Sequence, residues 1–272
     1  MTFTDRLRSV QQDRRSLLCI GLDTDATKLP ATVMSAADPV VAFNKLIIET
    51  THDLVCAYKL NLAFYEAMGE RGWHTLRETL AAIPPDVITI ADGKRGDIGN
   101  SSELYARSLL TELRFGASTV HPYMGFDSIE PFLRYPEHGV FILALTSNPG
   151  AKDFQYLKVN GKPLYEHVIA RVKKWNKHNN LGLVVGATRP AQLKRIRSLV
   201  PAMPLLIPGV GAQGGDLKRA VAHGCDSRGF LGIINAGRSI LYASSGSAFA
   251  SAARQAAQTM RDEINRYRVT SA

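Results

Sequence analysis

The chain has 272 residues, 45% hydrophobic and 21% charged, which are the proportions of an ordinary globular protein and exclude a disordered, fibrous or low-complexity architecture. Its 33 Lys and Arg outnumber 24 Asp and Glu, and the formal net charge of +9 favours an anionic partner, either a phosphate-bearing small molecule or a nucleic acid. No recognised nucleic-acid motif accompanies the basic cluster Arg171, Lys173, Lys174 and Lys177, which reads as one solvated helix face.

The opening stretch, MTFTDRLRSVQQDRRS, mixes charges and lacks an apolar core, and no later apolar run approaches bilayer-spanning length. A cytoplasmic location is expected. Short β-rich runs then recur: LLCIGLD from 17, CAYKLNL from 56, VITIAD from 87, STVHPY from 118, VFILALT from 140, LGLVVGA from 181, PLLIPGVG from 204 and GFLGIINAG from 229. Stretches with helical spacing separate them, among them PVVAFNKLIIETTHDL and PLYEHVIARVKKWNK. Continuously apolar strands alternating with helices predict a parallel sheet covered on both faces. Eight such units without a large break in composition predict one α/β domain over residues 1–272, a (β/α)8 TIM barrel. An open doubly wound sheet is the alternative that periodicity alone leaves standing.

In such a barrel, chemistry collects where strands end at their C-terminal side. The third run continues as VITIADGKRGDIGN, where period-two geometry puts Asp92 and Lys94 on one side if the strand persists, with Asp97 in the next turn. Lys59 ends the second run, within reach of both, so alternating signs would keep every member ionised near neutrality. Exposed loop ion pairs of little energetic weight are the bland alternative. His121 and Tyr123 end the fourth run and suit a hydrogen-bonded structural pair better than a pocket wall or subunit contact. The other histidines show no metal-ligand spacing, and Cys19, Cys56 and Cys225 are far apart without CxxC pairing, so reduced core thiols and no cysteine metal site are expected.

After the seventh run comes PGVGAQGGD, whose glycines let amides approach an anion while Gln213 adds a side-chain amide. After the eighth comes NAGRSI, where Gly237 and Arg238 lead into a helix and favour phosphate. Loops in these two places form the usual phosphate site of a TIM barrel.

DGKRGD, PGVGAQGGD and GRSI, in this order on a barrel, resemble the orotidine 5'-phosphate decarboxylase family. YKLNLAFYE, KRGDIG, HPYMGFDS and TSNPGA resemble its longer bacterial branch, called type 2. The resemblance covers nearly the whole chain. It implies conversion of orotidine 5'-phosphate to UMP in de novo pyrimidine biosynthesis, with neither metal nor organic cofactor, by a homodimer whose active sites lie at the subunit interface. Carried onto this sequence, it implies that Lys59, Asp92 and Lys94 come from one subunit and Asp97 from its partner, with Lys94 stabilising the C6 carbanion and then protonating it. Asp23 matches the position that holds the ribose hydroxyls, Ser147 the pyrimidine contact, and Gln213, Gly237 and Arg238 the phosphate grip. Ser101 matches a ribose contact from the neighbouring subunit, although the adjacent Ser102 leaves the choice of hydroxyl open.

One departure falls inside the core motif: Gly93 stands where this branch usually has alanine, which adds backbone freedom without removing charge. Two rival functions remain. A related sugar-phosphate barrel would hold magnesium with a similar DxKxxD cluster, but it wants a carboxylate where this chain has Lys59. A non-catalytic polyanion-binding barrel would use the positive charge alone.

Overall fold

A computed structural model describes residues 1–210 and 215–268. Eight parallel strands close into a barrel in sequential order. They are β1 (Leu18–Gly21), β2 (Ala57–Asn61), β3 (Ile88–Arg95), β4 (Ala117–Val120), β5 (Gly139–Leu145), β6 (Leu181–Val185), β7 (Leu205–Pro208) and β8 (Gly232–Ala236). Each lies within or overlaps one of the eight apolar runs, and β1 pairs with β8 through Leu18↔Ile234 to complete the ring, which excludes the open sheet. β1, β4, β6 and β8 are buried at every position, because a barrel wall has side chains on one face and helices on the other.

The helix Pro39–Thr51 shows how local chemistry sets these boundaries. Asp38 accepts hydrogen bonds from the Val40 and Val41 amides through Oδ1, and Pro39, which has no amide to satisfy, takes the first helical position. The helix then buries Val40, Val41, Phe43, Ile47 and Ile48.

Two features go beyond the sequence expectation. The charged opening stretch forms a helix, Phe3–Asp13, held at its start by a Thr2–Asp5 capping box. Its buried Phe3 and Leu7 plug the N-terminal mouth of the barrel, where the Phe3 ring meets Phe141 edge-on at 5.8 Å. Gln11 completes the plug by donating to Gly232 O and accepting from Leu231 N, both at 2.9 Å. Between β5 and the helix Leu164–Trp175 the chain also makes a small antiparallel hairpin, Lys158–Val159 with Lys162–Pro163. Asn160 and Gly161, at φ +49° and +76°, supply the left-handed turn that a two-residue hairpin loop requires.

Cys19, Cys56 and Cys225 are all buried and unpaired, and burial pushes the Cys56 and Cys225 thiols up to about 12. Among the described residues no helix is long and apolar enough to cross a membrane.

Candidate active site

With one mouth plugged, the C-terminal mouth opens into a cavity of about 340 Å³. Asp23, Lys59, Asp92 and Lys94 line one side, Ser147 and Asn148 another, and Gly237 and Arg238 a third, over an apolar floor that includes Leu143, Val184 and Leu206. A few polar groups converging on an apolar cleft is the usual form of a small-molecule site.

The charged wall is a chain of alternating sign. Lys59, only 3% exposed, places its ammonium 3.3 Å from Asp23 Oδ1 and 3.2 Å from Asp92 Oδ2. Asp92 gives its other oxygen, Oδ1, to Lys94 Nζ at 2.7 Å. Asp23 is steadied by the Asn61 amide, which donates to its Oδ1 at 3.2 Å. Burial by itself would push the Lys59 ammonium down, but Asp23 and Asp92 outweigh it and the net direction is up. Burial likewise opposes ionisation of Asp92, yet Lys59 and Lys94 together hold its carboxyl below the ordinary value. Lys59 and Asp92 are therefore both charged around neutral pH.

Lys94 reaches Asp92 by a different route from simple strand alternation. β3 pairs with β4 through Ala91↔Ser118 and then Arg95↔Val120, so residues 92–94 bulge out opposite Thr119 alone. Lys94 takes φ +45° in this bulge, a conformation that costs a non-glycine residue roughly 1 kcal/mol. The bulge turns its side chain back over the pocket, where it is 43% exposed while that of Lys59 is 4% exposed.

On the opposite side, Gly237 precedes the short helix Arg238–Leu241, and Arg238 stands exposed at the rim. Ser147 is partly buried beside Gly186, where any Cβ would collide with its hydroxyl. Gln213 lies outside the described residues.

Asp97 and Ser101 are not among the residues that line the pocket. Asp97 accepts the Ile98 amide at 2.8 Å, and Ser101 is exposed on the helix Gly99–Ala106. Ser102 is buried and donates to Ser128 O at 2.7 Å, so its hydroxyl is already used within the fold. His121 and Tyr123 face a second, largely apolar cavity with Phe154 and Tyr165 rather than the charged pocket.

Thr119 and Asn61 were not singled out from the sequence. Thr119 is the second residue of the run STVHPY and Asn61 the next to last of CAYKLNL, and a polar side chain inside such a run was the available signal.

A profile of the orotidine 5'-phosphate decarboxylase / HUMPS family matches residues 16–253, which include all of the charged wall and the Arg238 rim. The chain belongs to this family. Within the orotidine 5'-phosphate decarboxylase / HUMPS family, it is 52% identical over 272 residues to the orotidine 5'-phosphate decarboxylase of Dehalococcoides mccartyi strain BAV1, covering 98% of this chain and 99% of that protein. It is 49% identical over 258 residues to the decarboxylase of the same name from Herpetosiphon aurantiacus, covering 94% and 95%. The solved structure of Leishmania donovani OMP decarboxylase superposes with a TM-score of 0.87 at 39% identity, with all of both chains covered. Leishmania donovani UMP synthase superposes at 0.88 with 41% identity, and there the match covers 98% of this chain but 57% of the synthase.

Proposed function

We propose that this protein decarboxylates orotidine 5'-phosphate to UMP with no metal or organic cofactor, and that Lys94 is the group that meets and then quenches the charge formed. Loss of carbon dioxide breaks the bond from C6 to the carboxylate carbon and leaves the electron pair in the ring plane, where delocalisation into the π system is poor. A fixed cation beside C6 lowers that barrier. The Lys94 ammonium then passes a proton to C6, yielding UMP and a neutral amine that solvent reprotonates.

The observation that carries this assignment is the difference between the two lysines on Asp92. Lys59 is sealed between Asp23 and Asp92, whereas the Lys94 side chain is 43% exposed over the pocket. Of the two, Lys94 is the one open enough to meet a substrate and refill from water; Lys59 balances the carboxylates. Ser147 on one wall and Gly237 and Arg238 at the rim suit the pyrimidine and the phosphate, and Asp23 suits the ribose hydroxyls.

Asp97 and Ser101 point to a homodimer. They lie outside the pocket of their own subunit, beside the exposed apolar side chains of Ile98, Leu104 and Tyr105, and would complete the site of a second copy. A cytoplasmic location fits this function. The magnesium barrel is disfavoured because the ammonium of Lys59 occupies the ground between Asp23 and Asp92 and would repel the ion.

The test is the ultraviolet spectrum of orotidine 5'-phosphate incubated with purified protein, with and without EDTA. Conversion unaffected by the chelator is expected. Conversion that stops with EDTA would favour the magnesium rival, and steep salt-dependent nucleic-acid binding with no conversion would favour the polyanion binder.

A further inference from the structure

The bulge in β3 leaves the amide of Lys94 without a strand partner, and a side chain supplies one. Thr119, on β4 and 1% exposed, accepts a hydrogen bond from Lys94 N at 2.9 Å through Oγ1. The same oxygen lies 3.0 Å from Asp92 Oδ1 and 3.5 Å from Ala91 O. A threonine hydroxyl has one proton to give, and the shorter, charge-assisted contact takes it, so the hydroxyl donates to Asp92 while accepting from Lys94. Asp92 Oδ1 is also the oxygen that binds Lys94 Nζ. One hydroxyl thus holds both ends of Lys94, its backbone directly and its ammonium through Asp92.

We propose that Thr119 is a positioning residue for the decarboxylation, fixing the left-handed turn of Lys94 and the orientation of the Asp92 carboxylate so that the ammonium stays over the pocket. The proposal rests on the decarboxylase function given above for its kinetic consequence, but not for the contact itself. A buried hydroxyl could merely be satisfied by whatever lies near it. Here both its partners belong to the reacting pair, and it stands at the single residue that faces the bulged segment 92–94. Neither backbone strand can offer this acceptor, because the register shift has moved the β4 carbonyls out of step with Lys94.

The experiment compares Thr119→Val, which keeps the shape and removes the hydroxyl, with Thr119→Ser, which keeps the hydroxyl. Thr119→Val should lower kcat about ten- to a hundredfold, the scale of a lost hydrogen bond to a charged group, while KM and UMP affinity stay within a few fold. Thr119→Ser should recover most of that loss. Amide hydrogen exchange at Lys94 should speed up at least about tenfold in Thr119→Val but not in Thr119→Ser, because only the valine leaves that N–H without its acceptor.

Unchanged kcat and exchange in Thr119→Val would overturn the proposal. So would an equal loss in both variants, or a loss that tracks melting temperature and KM together, since either would mean a packing role. Thr119→Ala provides the same comparison should valine prevent folding. If the unmodified protein leaves orotidine 5'-phosphate intact, the decarboxylase assignment fails by itself, and Lys94 exchange still decides whether the hydroxyl holds the turn.

Discussion

Lys59 and Lys94 bind opposite oxygens of a single carboxylate, 3.2 Å to Asp92 Oδ2 and 2.7 Å to Asp92 Oδ1, yet one amine is buried and the other is open to the pocket. The shared carboxylate makes the two lysines interdependent in charge, while their different exposure separates their effects. Removing Lys59 strands the buried Asp92 and the half-buried Asp23; removing Lys94 opens a surface.

Lys94→Ala should therefore lower kcat by at least about a thousandfold, while UMP binding remains measurable and the melting temperature changes little. Lys59→Met should lower activity and also cost about 3 kcal/mol of stability, because Asp23 and Asp92 lose their common counter-charge. Denaturant melts of both variants, alongside single-turnover assays, separate the two outcomes. Near-normal turnover by Lys94→Ala would refute its assignment.

The same network sets a pH window. The Asp92 carboxyl is held below its ordinary 3.8, so its contribution is complete above that value and is lost as pH falls through the lower, folded-state value. The Lys59 ammonium is held above its ordinary 10.5, so its contribution is complete below that value and is lost as pH rises through the higher, folded-state value. The stability difference between the unmodified protein and a Lys59→Met, Asp92→Asn double variant should then be flat from about pH 5 to about pH 9 and shrink beyond both ends. A slope inside that window would contradict the assigned charges.

Arg238 stands at the rim, outside the charged wall, so on the proposed function its contribution to rate comes through the remote phosphate. Arg238→Ala should reduce kcat/KM about a hundredfold or more, and added guanidinium should restore part of it by occupying the vacated position. Phosphite dianion should likewise activate a substrate truncated at the phosphate. Full efficiency in the variant would remove Arg238 from the grip.

Two glycines of the third-strand motif should respond differently to alanine. At Gly93 a Cβ would sit 2.8 Å from Leu62 Cδ1, the movable end of a side chain, so Gly93→Ala should change stability by less than about 1 kcal/mol. At Gly96 the added carbon would come 2.0 Å from His121 Nε2, so Gly96→Ala should cost about 1–3 kcal/mol and disturb the loop that carries Asp97. Thermal melts of the two variants rank them directly. The alanine usual in this branch at position 93 is thus compatible with the fold, and the freedom of Gly93 is not what shapes Lys94, which makes the left-handed turn itself.

The barrel was legible in the sequence because parallel strands buried on both faces must be apolar from end to end, and eight such runs alternate with helical spacing. Lys59, Asp92 and Lys94 were legible for the complementary reason: charges that close apolar runs are costly unless they meet one another, and strand ends of a barrel converge. What the tertiary structure decided depends on pairings between residues far apart in the chain. The plug made by Phe3, Leu7 and Gln11 needs the open mouth formed by strands that follow it, so its few apolar positions among mixed charges gave no sign of a core contact. The turn at Lys94 exists because β3 slips against β4, and Thr119 matters only because that slip brings its hydroxyl opposite an amide with no strand partner. Asp97 follows Lys94 closely in sequence but does not line the pocket, because β3 ends at Arg95 and the chain then turns into the helix Gly99–Ala106. Residue type and period determine which groups can reach the end of a strand; cross-strand register determines where each of them points.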